Sequence, residues 1–218
     1  MTMKRIFLAV LMMGAAWMGC LAQEIRAGMT AGVTMNTPTY FSTFVGYNVG
    51  LRVEVATEEK SCAIIGLGAM LSDKSWRYEY PDGESYMGLR NPHIKAHPTY
   101  LDIPLHAGYR WEVSPKLRVF ATAGVTPSIG LFGKEKLSYD EAGTKRATQT
   151  LADNIFNNIL DNGQERIDVA LGYRFGIELN REVQLAISQD WGLRDIDKSG
   201  EGMKVRNHCF TLGLTYMF

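Results

Sequence analysis

Residues Asn207–Phe218 read NHCFTLGLTYMF, with His208, Phe210, Leu212, Leu214, Tyr216 and Phe218 on one face and Cys209, Thr211, Gly213 and Thr215 between them. Successive side chains of an extended chain point to opposite sides, so a period of two marks a strand between two unlike surroundings. The same period runs back through the chain. Ile25, Ala27, Met29, Ala31, Val33 and Met35 alternate with Arg26, Gly28, Thr30, Gly32 and Thr34. Val45 to Val55 repeats the pattern, as do Leu101 to Trp111, Leu117 to Val125, Val169 to Ile177 and Val183 to Trp191. The stretch from Cys62 to Leu71 is apolar on both faces, which leaves its facing undetermined. Eight runs result.

The connections alternate in length. Short turns are expected near Glu58-Glu59, Ser114-Pro115 and Asn180-Arg181, and long polar connections over about Ser72–Thr99 and Ser128–Arg166. Tight turns on one rim and long loops on the other predict an all-β fold: an eight-stranded antiparallel up-and-down transmembrane β-barrel with long extracellular loops and short periplasmic turns. Pro104 lacks the N–H of a ladder bond and predicts a bulge or irregularity in the fourth run.

The two faces separate a membrane barrel from a soluble one. The non-apolar face carries Arg26, Arg52, Glu54, Asp102, Arg110, Arg118, Asp168, Arg174, Glu178 and Asp190 among glycines, in near balance of sign. Such a set suits a narrow lumen filled by paired side chains. The opposite face carries Tyr109, Trp111, Tyr173, Trp191, Tyr216 and Phe218 near strand ends, where aromatic girdles meet lipid headgroups. The alternative, a secreted lipocalin-like barrel, would turn the charged face to water.

With 218 residues, a net charge of +0 and 21% charged residues, the composition permits one domain and gives no sign of a nucleic-acid partner. Lys4 and Arg5 precede an uncharged run from Ile6 to Gly19, followed by Cys20-Leu21-Ala22. Residues 1–22 are thus expected to be a secretory signal peptide cleaved before Gln23, with 23–218 as the barrel domain; lipidation at Cys20 is the competing reading. Beyond this segment no uncharged apolar stretch approaches the roughly 20 residues of a spanning helix.

Thr211, Gly213, Tyr216 and Phe218 fit a polar, any, Gly, any, any, aromatic, any, Phe pattern. It resembles the signal by which the outer-membrane assembly machinery recognises barrels. With Thr99–Trp111 (TYLDIPLHAGYRW), Leu117–Val125 (LRVFATAGV) and Leu171–Glu178 (LGYRFGIE), this closing strand resembles the PorT-like outer-membrane β-barrel proteins. The resemblance covers essentially the whole mature chain. It implies an eight-stranded, monomeric barrel in the bacterial outer membrane, surrounded by outer-membrane lipid and handled by the assembly machinery during biogenesis, and it supplies no catalytic residues.

Candidate chemistry is sparse. Arg52, Glu54, Asp102, Arg110, Arg118, Asp168, Arg174 and Glu178 are expected to form a lumen charge network, in which Arg52, Arg110 and Arg174 pair with Glu54, Asp102, Asp168 or Glu178 and close the pore. His93 and His97 have i, i+4 spacing, but Pro92 and Pro98 discourage the helix a metal site would use, so they read as loop histidines. His106 faces the lumen and His208 the exterior. None of the four has a spacing that assembles a nucleophile with its base. No catalytic, metal or cofactor residue is therefore assigned, and the chain is read as a non-enzyme. Cys62 and Cys209 are expected to be free thiols, since strand rise puts them far apart.

Leu151, Ile155, Phe156, Ile159 and Leu160 have helical spacing opposite Asp153, Asn154, Asn157 and Asn158, which predicts a short helix within about 148–162. It reads either as a cap on the barrel mouth or as a surface for a protein partner. Trp76, Tyr78, Tyr80 and Tyr86 are read as extending a hairpin above the membrane, or as two further wall strands that raise the count to ten. The leading functional expectation is a structural or surface-interaction barrel with a filled lumen and displayed loops. The alternatives are a lipid-modifying enzyme of the outer membrane and a narrow passive channel.

Overall fold

A computed structural model describes residues 23–57, 61–80, 89–140, 146–157, 163–198 and 204–218. The expected leader, the Glu58-Glu59 turn and Tyr86 lie outside the described residues. Those described form eleven strands and no helix: β1 (Gln23–Asn36), β2 (Ser42–Thr57), β3 (Cys62–Asp73), β4 (Trp76–Glu79), β5 (Arg90–Asp102), β6 (Leu105–Ser114), β7 (Leu117–Asp140), β8 (Arg146–Ala152), β9 (Ile167–Leu179), β10 (Val183–Gly192) and β11 (His208–Met217). Every pairing is antiparallel, and the circuit closes. β1 pairs β2, β2 pairs β3, and β3 pairs both β5 and β6. These pair β7, which continues through β9, β10 and β11 back to β1. A closed circuit satisfies backbone groups that hydrocarbon cannot.

The expected count of eight is corrected to eleven, for two reasons. Pro104 has no N–H, so the fourth run breaks at Ile103-Pro104 into β5 and β6, which share both neighbours. The break is partly bridged, because Gly68 N donates to the Pro104 carbonyl at 3.0 Å and Ile103 N to that of Pro127 at 2.9 Å. The second reason is that the connections expected as polar loops are largely paired. β4 joins β5 and the start of β2, and β8 joins the far half of β7. β7 has 24 residues, about 80 Å at strand rise, whereas a tilted crossing needs only about ten residues. Its remainder offers free edges above the membrane, and β8 takes one of them.

That edge also overturns the predicted helix. Arg146–Ala152 is strand β8, and Ile155 and Phe156 follow in a turn, both buried. The β-branched Thr148 and Thr150 suit the pleat, and pairing with β7 satisfies backbone groups that a short helix would leave at its ends. Residues 158–162 lie outside the described residues.

The turn after β9 shows why a short connection suffices there. Asn180 and Arg181 have φ of 52° and 66°, and Glu182 N donates to the Leu179 carbonyl at 3.0 Å. Two consecutive left-handed residues match the twist of a tight hairpin.

Lipid-facing positions are Met29, Val33, Tyr47, Leu51, Leu67, Leu71, Val125, Ile129, Leu171, Phe175, Leu185, Leu212 and their neighbours, all exposed. The uncertain facing of the third run is thereby resolved, with Ile64 turned inward beside Phe120. Tyr109 with Trp111 and Tyr216 with Phe218 mark the turn rim, and Tyr173 with Trp191 lies toward the other. On β7 the lipid face ends abruptly. Register shifts between Thr99 and Tyr100, whose partners are Phe132 and Gly130, so Leu131 is an extra residue that exchanges the two faces. Beyond it Lys134 and Lys136 point outward, and Gly133, Glu135 and Leu137 inward. Exposed lysines on the outer face place this upper part beyond the hydrocarbon.

Candidate functional site

Toward the turn rim the lumen is crossed by one polar layer. Glu54 of β2 accepts from Arg52 Nε at 3.1 Å, Arg110 Nη2 at 2.5 Å, Arg26 Nη2 at 3.3 Å and Gln184 Nε2 at 3.1 Å. Glu178 of β9 accepts from Arg26 at 2.7 Å, Gln184 at 2.9 Å and Arg118 at 3.2 Å. Arg174 lies 3.8 Å from Glu54, donates to Gln184 and Thr215, and stacks over Phe120 at 4.6 Å. The residues come from β1, β2, β6, β7, β9 and β10, so the layer reaches across the barrel. Arg110, Glu54, Glu178 and Gln184 are at most 1% exposed.

Five guanidiniums thus share two carboxylates in one buried layer, and Glu112 and Glu24 approach only its margin, at 3.8 and 3.7 Å. Each guanidinium reaches at least one acceptor, although Arg52 Nη2, Arg110 Nε and Nη1, Arg118 Nε and Arg174 Nη1 are buried without a hydrogen bond among the described residues; removing one partner of a buried charge pair costs on the order of 3–5 kcal/mol. Gly66 makes room for it: a Cβ there would meet Arg52 Nη2 at 2.5 Å. Phe120, Ile64, Cys62, Ala56 and Ala186 form an apolar cluster inside the same half of the barrel.

The expected network divides in two. Arg52, Arg110, Arg118 and Arg174 gather on Glu54 and Glu178, while Asp102 and Asp168 take no arginine. Asp102 instead faces Lys74 at 3.0 Å and accepts from Ser128 at 2.6 Å, and Asp168 accepts from Asn207 at 2.9 Å. Asn36 bridges Asn207 to the Lys74 carbonyl. This second layer borders the other end of a cavity of about 70 Å³ lined by Arg52, His106, Asp190 and Thr211, with room for a few waters. Arg26, Gln184 and Lys74 take part in these layers although they lie outside the expected set. Arg26 and Gln184 fall on the lumen faces of their runs by alternation; nothing in the spacing marked Lys74.

Thr211 and Gly213 face the lumen, where Thr211 Oγ1 meets Thr34 Oγ1 at 3.2 Å, and Tyr216 and Phe218 face outward. Cys62 and Cys209 are both free and buried. Cys62 is level with Arg110 near the turn rim, and Cys209 is paired with Asn36 at the far end of β1.

His93 and His97 are strand residues, not loop residues. Both lie on β5, and four residues of strand separate them by about 13 Å, too far to share a metal. Arg146 Nη2 lies 2.8 Å from both ring nitrogens of His93, and burial followed by that guanidinium lowers the histidine's pKa. His97 brings together a set that the histidine spacings did not suggest. Its Nδ1 is 2.6 Å from Ser75 Oγ and 3.7 Å from Asp73, while Ser75 donates to Asp73 at 2.5 Å. A hydrolytic triad needs serine and acid on opposite nitrogens of the imidazole. Here both sit at the same nitrogen, and Ser75 is 0% exposed, so the trio pins the corner between β3 and β4 to β5.

The family model for the outer membrane protein beta-barrel domain matches residues 21–198 of the chain. No curated protein matches it significantly. Solved structures similar to it include Ail, the attachment invasion locus protein of Yersinia pestis, with 13% identity, 89% of this chain and 99% of that chain covered, and a TM-score of 0.39. Neisserial surface protein A has 12% identity, coverage of 90% and 99%, and a TM-score of 0.37. OprG of Pseudomonas aeruginosa has 13% identity, coverage of 92% and 98%, and a TM-score of 0.37.

Proposed function

The chain belongs to the outer membrane protein beta-barrel domain family and resides in the bacterial outer membrane, and on that premise we propose that it is a non-conducting barrel whose interior is a polar core and whose extended strands form an interaction surface. The observation that carries this reading is the layer around Glu54 and Glu178. A conducting lumen leaves its charges hydrated, whereas these are buried and bound to one another from six strands. The wall therefore spends its charged residues on closure. What remains for contact is the region above Phe132, built from β4, β8 and the far parts of β5 and β7.

The PorT-like assignment belongs to the same proposal, supported by the strand segments that carry the resemblance. So does a role for Thr211, Gly213, Tyr216 and Phe218 as the recognition strand for barrel assembly. Planar-bilayer recordings test the central claim. The purified protein is expected to give no stable conductance, and the double variant Glu54→Ala, Arg110→Ala is expected to give a measurable one. Large, stable steps from the unmodified monomer would sink the proposal.

A further inference from the structure

Above the membrane the chain borders a second, partly open cavity, of about 520 Å³, in the size range of small-molecule sites. Its walls come from segments far apart in sequence. Tyr40 belongs to the turn after β1, Trp76 and Tyr78 to β4, Glu135 to β7, and Gln164 and Asp197 to an isolated bridge that joins the connections after β8 and β10. Tyr80 completes an aromatic wall. Tyr78 and Tyr80 meet edge-on at 4.9 Å, and Phe41 packs on Trp76 at 4.4 Å and Tyr78 at 5.8 Å. The floor is solid: Trp76, Ala96, Tyr100, Ile155 and Phe156 form a buried apolar cluster, and Phe156 lies over Gly130, where a Cβ would meet its ring at 2.4 Å.

Three buried polar groups at this cavity lack a protein partner among the described residues. Trp76 Nε1 and Gln164 Oε1 make no hydrogen bond, on side chains that are 6% and 7% exposed. Glu135 is 9% exposed and has neither ion pair nor hydrogen bond. Its neighbours in register are Ala96 and Ala152, which can donate nothing. A lone buried carboxylate costs several kcal/mol unless it is protonated or meets a cation, and burial pushes this one up to about 7. Across the cavity it faces Asp197, the tyrosines and Gln164; no lysine or arginine lines the space among the described residues. Tyr40 adds a backbone signal. Its φ of 72° is an unfavourable conformation for an aromatic residue, held while the residue is 63% exposed at the cavity edge.

We propose that this cavity binds an organic cation, with an ammonium group seated among Trp76, Tyr78 and Tyr80 and neutralised by Glu135. Aromatic faces attract cations through their quadrupoles, most strongly where water is excluded, and trimethylated or alkylated ammonium groups also profit from apolar contact. Gln164 Oε1 is placed to accept from a ligand N–H or O–H, and Trp76 Nε1 to donate to a ligand oxygen. The inference rests on reading the region above the membrane as the working part of the molecule, and ligand binding can fail without any change in conductance, so the two claims are tested apart.

The test is titration of the refolded barrel in lipid nanodiscs with choline, followed by calorimetry and by intrinsic tryptophan fluorescence. Saturable one-site binding is expected at about pH 8, weakened about tenfold or more in Glu135→Gln and Tyr80→Leu and for the neutral isostere 3,3-dimethyl-1-butanol. Lowering the pH to about 5.5 should weaken binding in the unmodified protein and leave Glu135→Gln unchanged, because only the former loses a negative charge over that window. Phosphocholine should bind less well than choline, since its phosphate approaches the Glu135 carboxylate. Absence of saturable binding, equal affinity for the neutral isostere, tighter binding of phosphocholine, or an unaltered Glu135→Gln would each overturn the proposal. Glu135→Gln preserves shape, and its heat-shifted mobility in gels shows whether the barrel is folded.

Discussion

Replacing Glu54 by glutamine should be among the most damaging isosteric changes in the chain. Glu54 is 1% exposed, receives hydrogen bonds from Arg26, Arg52, Arg110 and Gln184, and lies 3.8 Å from Arg174. Glutamine keeps the volume but offers one acceptor oxygen, turns an NH2 group toward guanidiniums, and leaves five arginines to Glu178 alone. Breaking a buried charge pair by removing one partner costs about 3–5 kcal/mol. With four guanidiniums affected and only partial compensation by Glu178, a loss of about 4 kcal/mol is expected, close to a thousandfold in the unfolding equilibrium. Urea unfolding of the barrel in lipid vesicles, read by tryptophan fluorescence, measures it. Glu112→Gln is the control: Glu112 is 3.8 Å from Arg118 at the margin of the layer and should cost under about 1 kcal/mol. Adding Arg110→Met to Glu54→Gln should restore part of the loss, because it removes an orphaned charge. A loss below about 1 kcal/mol for Glu54→Gln would refute the view that Glu54 organises the lumen.

Other outcomes follow from the same geometry. Glu135 has a folded pKa of about 7, above the ordinary 4.5, so the folded protein binds the extra proton and stability should fall as pH rises through that window. The loss reaches at most about 3 kcal/mol above pH 7, and Glu135→Gln should flatten the profile in urea melts. Arg181→Gly keeps the backbone carbonyl that receives Arg26 and relieves a left-handed residue, so equilibrium unfolding should show a neutral change or a gain of up to about 1 kcal/mol. Gly66→Val should drive a side chain into the Arg52 guanidinium and destabilise the barrel by about 1–3 kcal/mol, measured in the same assay. Cys62 and Cys209 should resist maleimide labelling in the folded barrel and both react in denaturant, as mass spectrometry would show.

The wall was legible because lipid outside and a packed polar lumen inside impose opposite demands on alternate residues. That pattern survives in Ile25–Met35, Leu117–Val125 and Asn207–Phe218 without knowledge of any partner. Pro104 announced its own irregularity by chemistry alone. The region above the membrane was harder to read, because water on one side and a local apolar cluster on the other relax the alternation. There Leu151, Ile155 and Phe156 imitate a helix, although one belongs to β8 and the other two sit in a turn. The bulge at Leu131, which exchanges inward and outward faces on β7, leaves no local signature that distinguishes Glu135 from its outward neighbours Lys134 and Lys136.

By itself, then, the sequence determined that the chain is a transmembrane barrel and, in the runs with clear alternation, which residues face its interior, since both depend only on strand period and on the solvents at the two faces. Tertiary structure alone decided which charges pair, because partnership across a lumen depends on register and on strands as distant as β2 and β9. It also decided that Tyr40, Trp76, Glu135 and Gln164 share one cavity. Those residues lie up to 124 positions apart, and only the closing of the strands above the membrane brings them together.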